Sequence, residues 1–172
     1  MHRVSGGDLP LLSELYERHH RRLFRYCWRI TGETQASEDL VQEVFLKMLR
    51  NRQTFSEGNT FSSWMYAIAR NAHSDAYRKR RKEMPLEGEP HLAAPPGEPV
   101  ECREESALLH RALMQLPEEK REVLVMSRFQ DMTHAEIARV LGCDERTSRT
   151  RLHRALKSLR QVYLASVRRR TS

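Results

Sequence analysis

Between Asp131 and Thr147 the chain carries a Thr133-x-x-Glu136 pair, a short apolar stripe (Ile137, Ala138, Leu141), Gly142 and then Asp144. Few folds accommodate that order. Thr133 and Glu136 have the spacing of a capping box, in which each side chain satisfies a free backbone N–H at a helix start. Gly142 can take the left-handed conformation that ends a helix, and Asp144 offers an N-cap for the next one after a tight turn. Two helices joined by a short glycine turn, the second opening with cations, have the plan of a DNA-binding helix-turn-helix. An ordinary αα-hairpin inside a helical domain shares the pattern.

Composition narrows the setting. Of 172 residues, 39% are apolar and 31% charged, so any core is small and built from amphipathic elements. No run of about 18 apolar residues exists, so no membrane insertion is expected, and the N-terminus lacks the apolar region of a secretory signal. Cys27, Cys102 and Cys143 are scattered and odd in number, which fits a reducing cytoplasm rather than a disulfide framework. Their spacing suggests no metal site, and Cys27 and Cys143 read as small apolar fillers. The net charge of +7 divides into +5 over residues 1–83, −5 over 84–105 and +7 over 106–172. Two basic blocks around an acidic strip suggest two surfaces facing a polyanion.

The strip from Met84 to Pro99 holds five of the seven prolines and no apolar periodicity, the composition of an extended tether. It divides the chain into a domain at 1–83, a linker at 84–104 and a domain at 105–172. Before it, apolar stripes predict helices over about 9–30, from a cap at Thr34 onward, and from Thr60 into the basic run Arg78–Lys82. After it, helices are predicted near 104–113, 118–129, 134–141 and 145–167, with Pro117 placed where its missing N–H costs nothing. No strand signal has weight.

Three surfaces stand out. On the second helix Asp39, Gln42, Glu43 and Leu46 cluster at i, i+3, i+4 and i+7, opposite the core stripe. They suit a basic partner helix, although periodicity alone favours a solvated face with one exposed leucine. The third helix sets Phe55, Phe61, Trp64, Tyr66 and Tyr77 near Arg70, Asn71 and Arg78, a mixture suited to unstacked bases. Phe61 and Trp64 also read as core residues. On the last helix Arg146, Arg149, Thr150, His153 and Arg154 share a face away from Leu152, Ala155, Leu156 and Leu159, as a major-groove helix requires. There is no Gly-rich phosphate loop, G-x-S-x-G or H-E-x-x-H string, so no catalytic residue, cofactor or metal is expected.

With these residues in hand, the chain resembles the extracytoplasmic-function (ECF) sigma factors, small members of the sigma-70 family of RNA-polymerase specificity subunits. The matching strings are Leu15-Tyr16-Glu17-Arg18, Glu38 through Phe45, Phe61 through Asn71, Leu116-Pro117 with Arg121-Glu122-Val123-Leu124, and Arg151 through Ala155. They fall in the family's order, across roughly 9–83 and 105–164. The resemblance implies an all-α fold of two small helical domains, region 2 and region 4, joined by a flexible linker. It implies that Asp39, Gln42, Glu43 and Leu46 dock on the β′ clamp helices of core polymerase, reversing the reading from periodicity. Phe55, Ser56, Phe61, Trp64, Arg70, Asn71, Arg78 and Arg81 would bind the -10 element, holding a flipped base and the melted strand. Arg146, Arg149, Thr150, His153 and Arg154 would read the -35 element as duplex. Partners implied are core RNA polymerase, including its β flap, and promoter DNA, with room for a cognate anti-sigma factor. The chain departs from the family where Arg146-Thr147-Ser148 replaces the usual Gly-Thr-Val. Ser148 then fills a normally apolar slot and needs a partner such as the Asp144 carbonyl. A stand-alone helix-turn-helix regulator or RNA-binding adaptor remains the alternative, one that has no use for the Asp39/Gln42/Glu43/Leu46 face.

Overall fold

A computed structural model describes residues 10–55, 58, 60–83 and 103–171. It is all-α, with no strand among the described residues. The helices are α1 (Pro10–Thr31), α2 (Thr34–Arg50), α3 (Phe61–Glu83), α4 (Arg103–Met114), α5 (Glu118–Phe129), α6 (His134–Leu141) and α7 (Glu145–Thr171), with a 3₁₀ turn at Arg52–Thr54. Residues 84–102, which hold nearly all of the expected linker and Cys102, lie outside the described residues.

Most boundaries follow local chemistry. Pro10 opens α1, where its fixed φ suits a helix and no N–H is missed. Gly32 ends it at φ 78, its N–H reaching the Trp28 carbonyl at 2.9 Å. The expected cap at Thr34 is not what starts α2. Glu33 holds the extended N-cap position without a side-chain cap bond, and Thr34 is already helical. The tight glycine turn moves the capping work back to Thr31, whose hydroxyl accepts from the Glu33 N–H at 3.3 Å and pairs with the Ser37 hydroxyl at 2.8 Å. At the α5–α6 junction Asp131 adopts φ 52, a left-handed conformation that aspartate tolerates better than most residues. It turns the chain so that Met132 drops into the core.

Helices α1–α3 enclose Leu23, Tyr26, Val44, Met48, Met65 and Ala69, and α4–α7 enclose Leu113, Val123, Met126, Ile137, Leu152 and Ala155. The two helical groups are in contact as well as joined by chain. α1 packs on α4 and α5, and α3 packs on α6, so the buried apolar residues form one continuous cluster. Cys27 lies inside it, and burial pushes its thiol well up, as befits a filler. Cys143 is half-buried.

Two groups pin this junction. Arg121, on α5, donates to the carbonyls of Leu113 (3.1 Å), Met114 (2.9 Å) and Leu116 (3.0 Å) in its own group. It also donates to Ile30 at the end of α1. Helix ends leave such carbonyls without partners, and one planar guanidinium satisfies several at once. Trp28 of α1 stacks on His110 of α4, centroids 3.6 Å apart and 14° from parallel. Both are buried, and neither His110 ring nitrogen has a hydrogen-bond partner among the described residues. Burial, helped by Arg29 and Arg121, lowers the His110 pKa to about 4.

Arg121→Met, which keeps the aliphatic bulk and removes every donor, should lower unfolding free energy by about 2–4 kcal/mol in urea titrations. His110 gives a pH signature. Its pKa is lowered from 6.5 to about 4 in the folded chain, so between those values the unfolded chain binds the extra proton. The stabilisation from neutral His110 should therefore be intact above about pH 6.5 and drain away toward pH 4. Melting temperatures over that range should fall more steeply for the natural chain than for His110→Phe, a comparison in which the carboxylates cancel.

Candidate nucleic-acid interface

The helix-turn-helix forms as its sequence dictates. Thr133 accepts from the Glu136 N–H at 3.3 Å and Glu136 accepts from the Thr133 N–H at 2.9 Å, completing the capping box. Gly142 takes φ 63, and its N–H and that of Cys143 close the end of α6 on the carbonyls of Arg139 and Ala138. Asp144 caps α7 by accepting from the Thr147 N–H at 2.7 Å and its hydroxyl at 2.8 Å, bonds that hold its carboxyl below the usual range. Arg146, Arg149, Thr150, His153 and Arg154 are all exposed on the first turns of α7. Arg149 is oriented by Glu145 at i−4, and the Thr150 hydroxyl is turned back to the Arg146 carbonyl at 3.0 Å. Ser148 is fully buried. Its hydroxyl meets His134 Nδ1 of α6 at 3.3 Å, so its partner lies across the turn rather than at the Asp144 carbonyl.

On the first helical group the aromatic residues gather around Trp64. Phe55 stands edge-on to it at 5.5 Å, Phe61 lies 6.2 Å away, and Trp64 Nε1 donates to the Thr54 hydroxyl at 3.3 Å. Trp64 is buried, while Phe55 and Phe61 are half-exposed. Phe61 also packs on the His19 ring at 4.6 Å. Farther along α3, Arg70, Asn71, Ser74, Tyr77 and Arg78, with Asp75 and Glu118, line an open cleft of about 660 Å³. Asn71 is exposed, and Arg78 is held by Asp75 at 2.7 Å. Ser56 and the Arg81 side chain lie outside the described residues.

The third surface is the outer face of α2. Asp39, Gln42 and Leu46 are exposed and Glu43 half-exposed; Leu46 retains 48% of its accessible area. Lys47 draws Glu43 toward Asp75, at 3.7 and 3.3 Å. Acid, amide, acid and leucine thus share one open face.

Sequence reasoning did not find the polar contacts between the two helical groups. Arg70 Nε lies 3.1 Å from Glu122 of α5, and His73 Nδ1 lies 2.9 Å from Glu118. Gln130 accepts from Arg22 at 2.9 Å and from the Tyr66 hydroxyl. The capping-box Glu136 accepts from Thr60 at 2.9 Å, and Arg139 reaches the Gly58 carbonyl at 3.5 Å. Burial raises the Glu122 pKa, against the lowering effect of Arg70. Burial also works to raise Glu136, but bonds from Thr133, Thr60 and Ser63 outweigh it and leave that carboxyl low. His73, Glu118 and Glu122 bring one ligand atom each within 4.8 Å of the others, with the Arg70 guanidinium already on the Glu122 carboxylate. No single-helix periodicity reports such pairs, because their partners are some 40 to 110 residues apart, as with Arg22 and Gln130 (|i−j| = 108). Glu122 itself ends the charged run Glu118–Glu122 and carries no local sign of its burial.

Known proteins match across both groups. A family model for sigma-70 region 2 covers residues 15–83, and one for sigma-70 region 4 covers residues 106–159. The chain is 32% identical over 169 residues to the ECF RNA polymerase sigma factor SigL of Mycobacterium tuberculosis (strain ATCC 25618 / H37Rv), spanning 93% of this chain and 94% of SigL. It is 26% identical over 171 residues to SigW of Bacillus subtilis (strain 168), spanning 92% and 91%. The sigma factor RpoE of Bartonella quintana, solved in complex with the anti-sigma factor NepR, superposes with a TM-score of 0.70 at 20% identity, over 94% of this chain and 97% of RpoE. That last likeness is one of fold.

The capping box makes a direct prediction. Thr133→Ala should cost about 1 kcal/mol in urea unfolding, with fraying at the start of α6 visible as faster amide exchange at Ala135 and Glu136.

Proposed function

Because this chain belongs to the ECF sigma factors of the sigma-70 family, and so serves RNA polymerase as a promoter-recognising initiation factor, we propose how its surfaces divide that work. Asp39, Gln42, Glu43 and Leu46 dock on the β′ clamp helices of core polymerase. Phe55, Ser56, Phe61, Trp64, Arg70, Asn71, Arg78 and Arg81 take the -10 strand. Arg146, Arg149, Thr150, His153 and Arg154 read the -35 duplex. The division falls at 1–83 and 105–172, with 84–104 joining the two. The observation that carries this reading is one chain holding both a region 2 match and a region 4 match in the family's order. A stand-alone regulator has no use for the first.

The mechanism is binding rather than bond chemistry. Arginines at the start of α7 meet phosphates and guanine edges, which positions the protein on duplex DNA. Bases freed from the duplex stack on rings and phosphates meet α3 cations, at about 1–3 kcal/mol per stacked base. That energy offsets strand separation and shifts the population toward open DNA. The chain itself carries out no catalysis. It works in the cytoplasm, where its polymerase is, and no described helix is long and apolar enough to cross a membrane. An anti-sigma factor, as seen with RpoE of Bartonella quintana, is a further partner.

Run-off transcription on a genomic library with core polymerase should yield start sites that share -35 and -10 sequences only when this chain is added. Gln42→Lys with Glu43→Lys should abolish core binding in pull-downs while circular dichroism stays unchanged. Full core binding by the double variant would overturn the α2 assignment.

A further inference from the structure

We propose that His73 of α3, with Glu118 and Glu122 of α5, forms a binding site for one divalent transition-metal ion of the zinc class. None of the three has a part in the division of work above, so the site stands or falls independently of it.

The ligand set comes together from two helices. Glu118 and Glu122 lie one turn apart on α5, and residues four apart on a helix share a face. His73 meets that face from α3, its Nδ1 2.9 Å from Glu118 Oε1. One ligand atom from each residue lies within 4.8 Å of the other two. Around a tetrahedral zinc with bonds of about 2.0–2.2 Å, ligand atoms stand about 3.3–3.6 Å apart, so closure needs a shift of about an ångström. Glu118 can make it. Its side chain keeps 31% of its accessible area and borders the open cleft shared with Asn71, Ser74 and Arg78. That cleft also gives the ion a way in and a water a route to the fourth position. His73 and Glu122 are buried, so the fixed ligands lie inside and the adjustable one at the mouth.

The donor set selects the kind of ion. One imidazole nitrogen and two carboxylate oxygens suit a borderline divalent metal such as zinc or cobalt(II), and there is no thiolate in the set to favour copper(I). A neutral imidazole with its proton on Nε2 leaves Nδ1 to the metal. Arg70 Nε donates to Glu122 Oε2 at 3.1 Å. A carboxylate has a second oxygen to offer, and the guanidinium then acts as the outer partner that fixes a metal-bound carboxylate in place. With His73 neutral, Arg70, Glu118 and Glu122 together carry one net negative charge. The neighbouring charges of Glu119 and Arg121 offset one another, and Arg78 at the cleft is paired with Asp75 at 2.7 Å. No sequence spacing announces the set, because its ligands come from opposite sides of the Pro-rich strip.

The test uses the full chain, treated with EDTA and exchanged into chelator-free buffer. Zinc binding is measured by isothermal titration calorimetry, coordination by visible absorption of the cobalt(II) form, and stability by thermal melts with and without zinc. His73→Gln and Glu118→Gln each remove one ligand and keep a polar side chain. Glu119→Gln removes a charge from the same turn, and His20→Ala breaks the adjacent His19-His20 pair. Circular dichroism checks folding throughout. The natural chain should bind one zinc ion and show the d–d absorption of a four-coordinate cobalt site without a thiolate charge-transfer band. It should melt about 5 °C higher at a zinc concentration about a hundredfold above Kd. Each ligand variant should weaken zinc binding by at least about tenfold and lose the melting shift, while Glu119→Gln and His20→Ala bind like the natural chain. Failure of the natural chain to bind zinc, or equal binding by both ligand variants, would overturn the site. A thiolate band, or loss of binding with His20→Ala, would put the ion elsewhere and overturn it equally. Should His73→Gln fail to fold, Glu118→Gln, at the half-exposed ligand, decides.

Discussion

A half-buried guanidinium between helix ends holds the architecture together. Arg121 reaches carbonyls at the end of α1, at the end of α4 and in the turn before α5. Short helices end often, and every end leaves carbonyls that need partners once water is excluded. A chain that is only 39% apolar cannot hide those ends under bulk hydrophobic cover. It satisfies them with a charge, whose own burial is costly unless each donor is used. The same arginine joins the two helical groups, so the stability of the second group and its placement on the first are coupled.

That coupling explains why the junction is mixed in character. Trp28 on His110, and Arg29 over the Phe129 ring at 4.2 Å, contribute apolar and cation–π contact. Glu122, Gln130 and Glu136 contribute bonds that a different partner can replace. An interface made wholly of leucine and valine would fix one arrangement. One held partly by ion pairs and amide bonds, as at Arg70 with Glu122 and Arg22 with Gln130, keeps polar contacts that water can take over.

Much of this was legible in the residues. The helix-turn-helix followed from Thr133, Glu136, Gly142 and Asp144, because caps and glycine turns are local and their chemistry acts within four residues. The outward faces of α2 and α7 followed from helical periodicity. Thr34 misled because a cap depends on where the preceding turn delivers the chain, and Gly32 delivers it one residue early. Ser148 found His134 rather than a backbone carbonyl, since α6 crosses close to the start of α7. The pairing of Arg70 with Glu122 and of Arg22 with Gln130 was not legible. Each side chain looks like an ordinary surface residue on its own helix, and only the packing of α1 and α3 against α5 and α6 brings them together. The roles of individual side chains at DNA and polymerase came from family resemblance.

The central claim is that one chain carries two promoter readers that act through core polymerase. Footprinting with permanganate probing of unpaired thymines tests it most directly. Protection of two separated promoter segments, with reactive thymines in the downstream one only when chain and core polymerase are both present, is the predicted result. Protection and reactive thymines produced by the chain without polymerase would contradict the account.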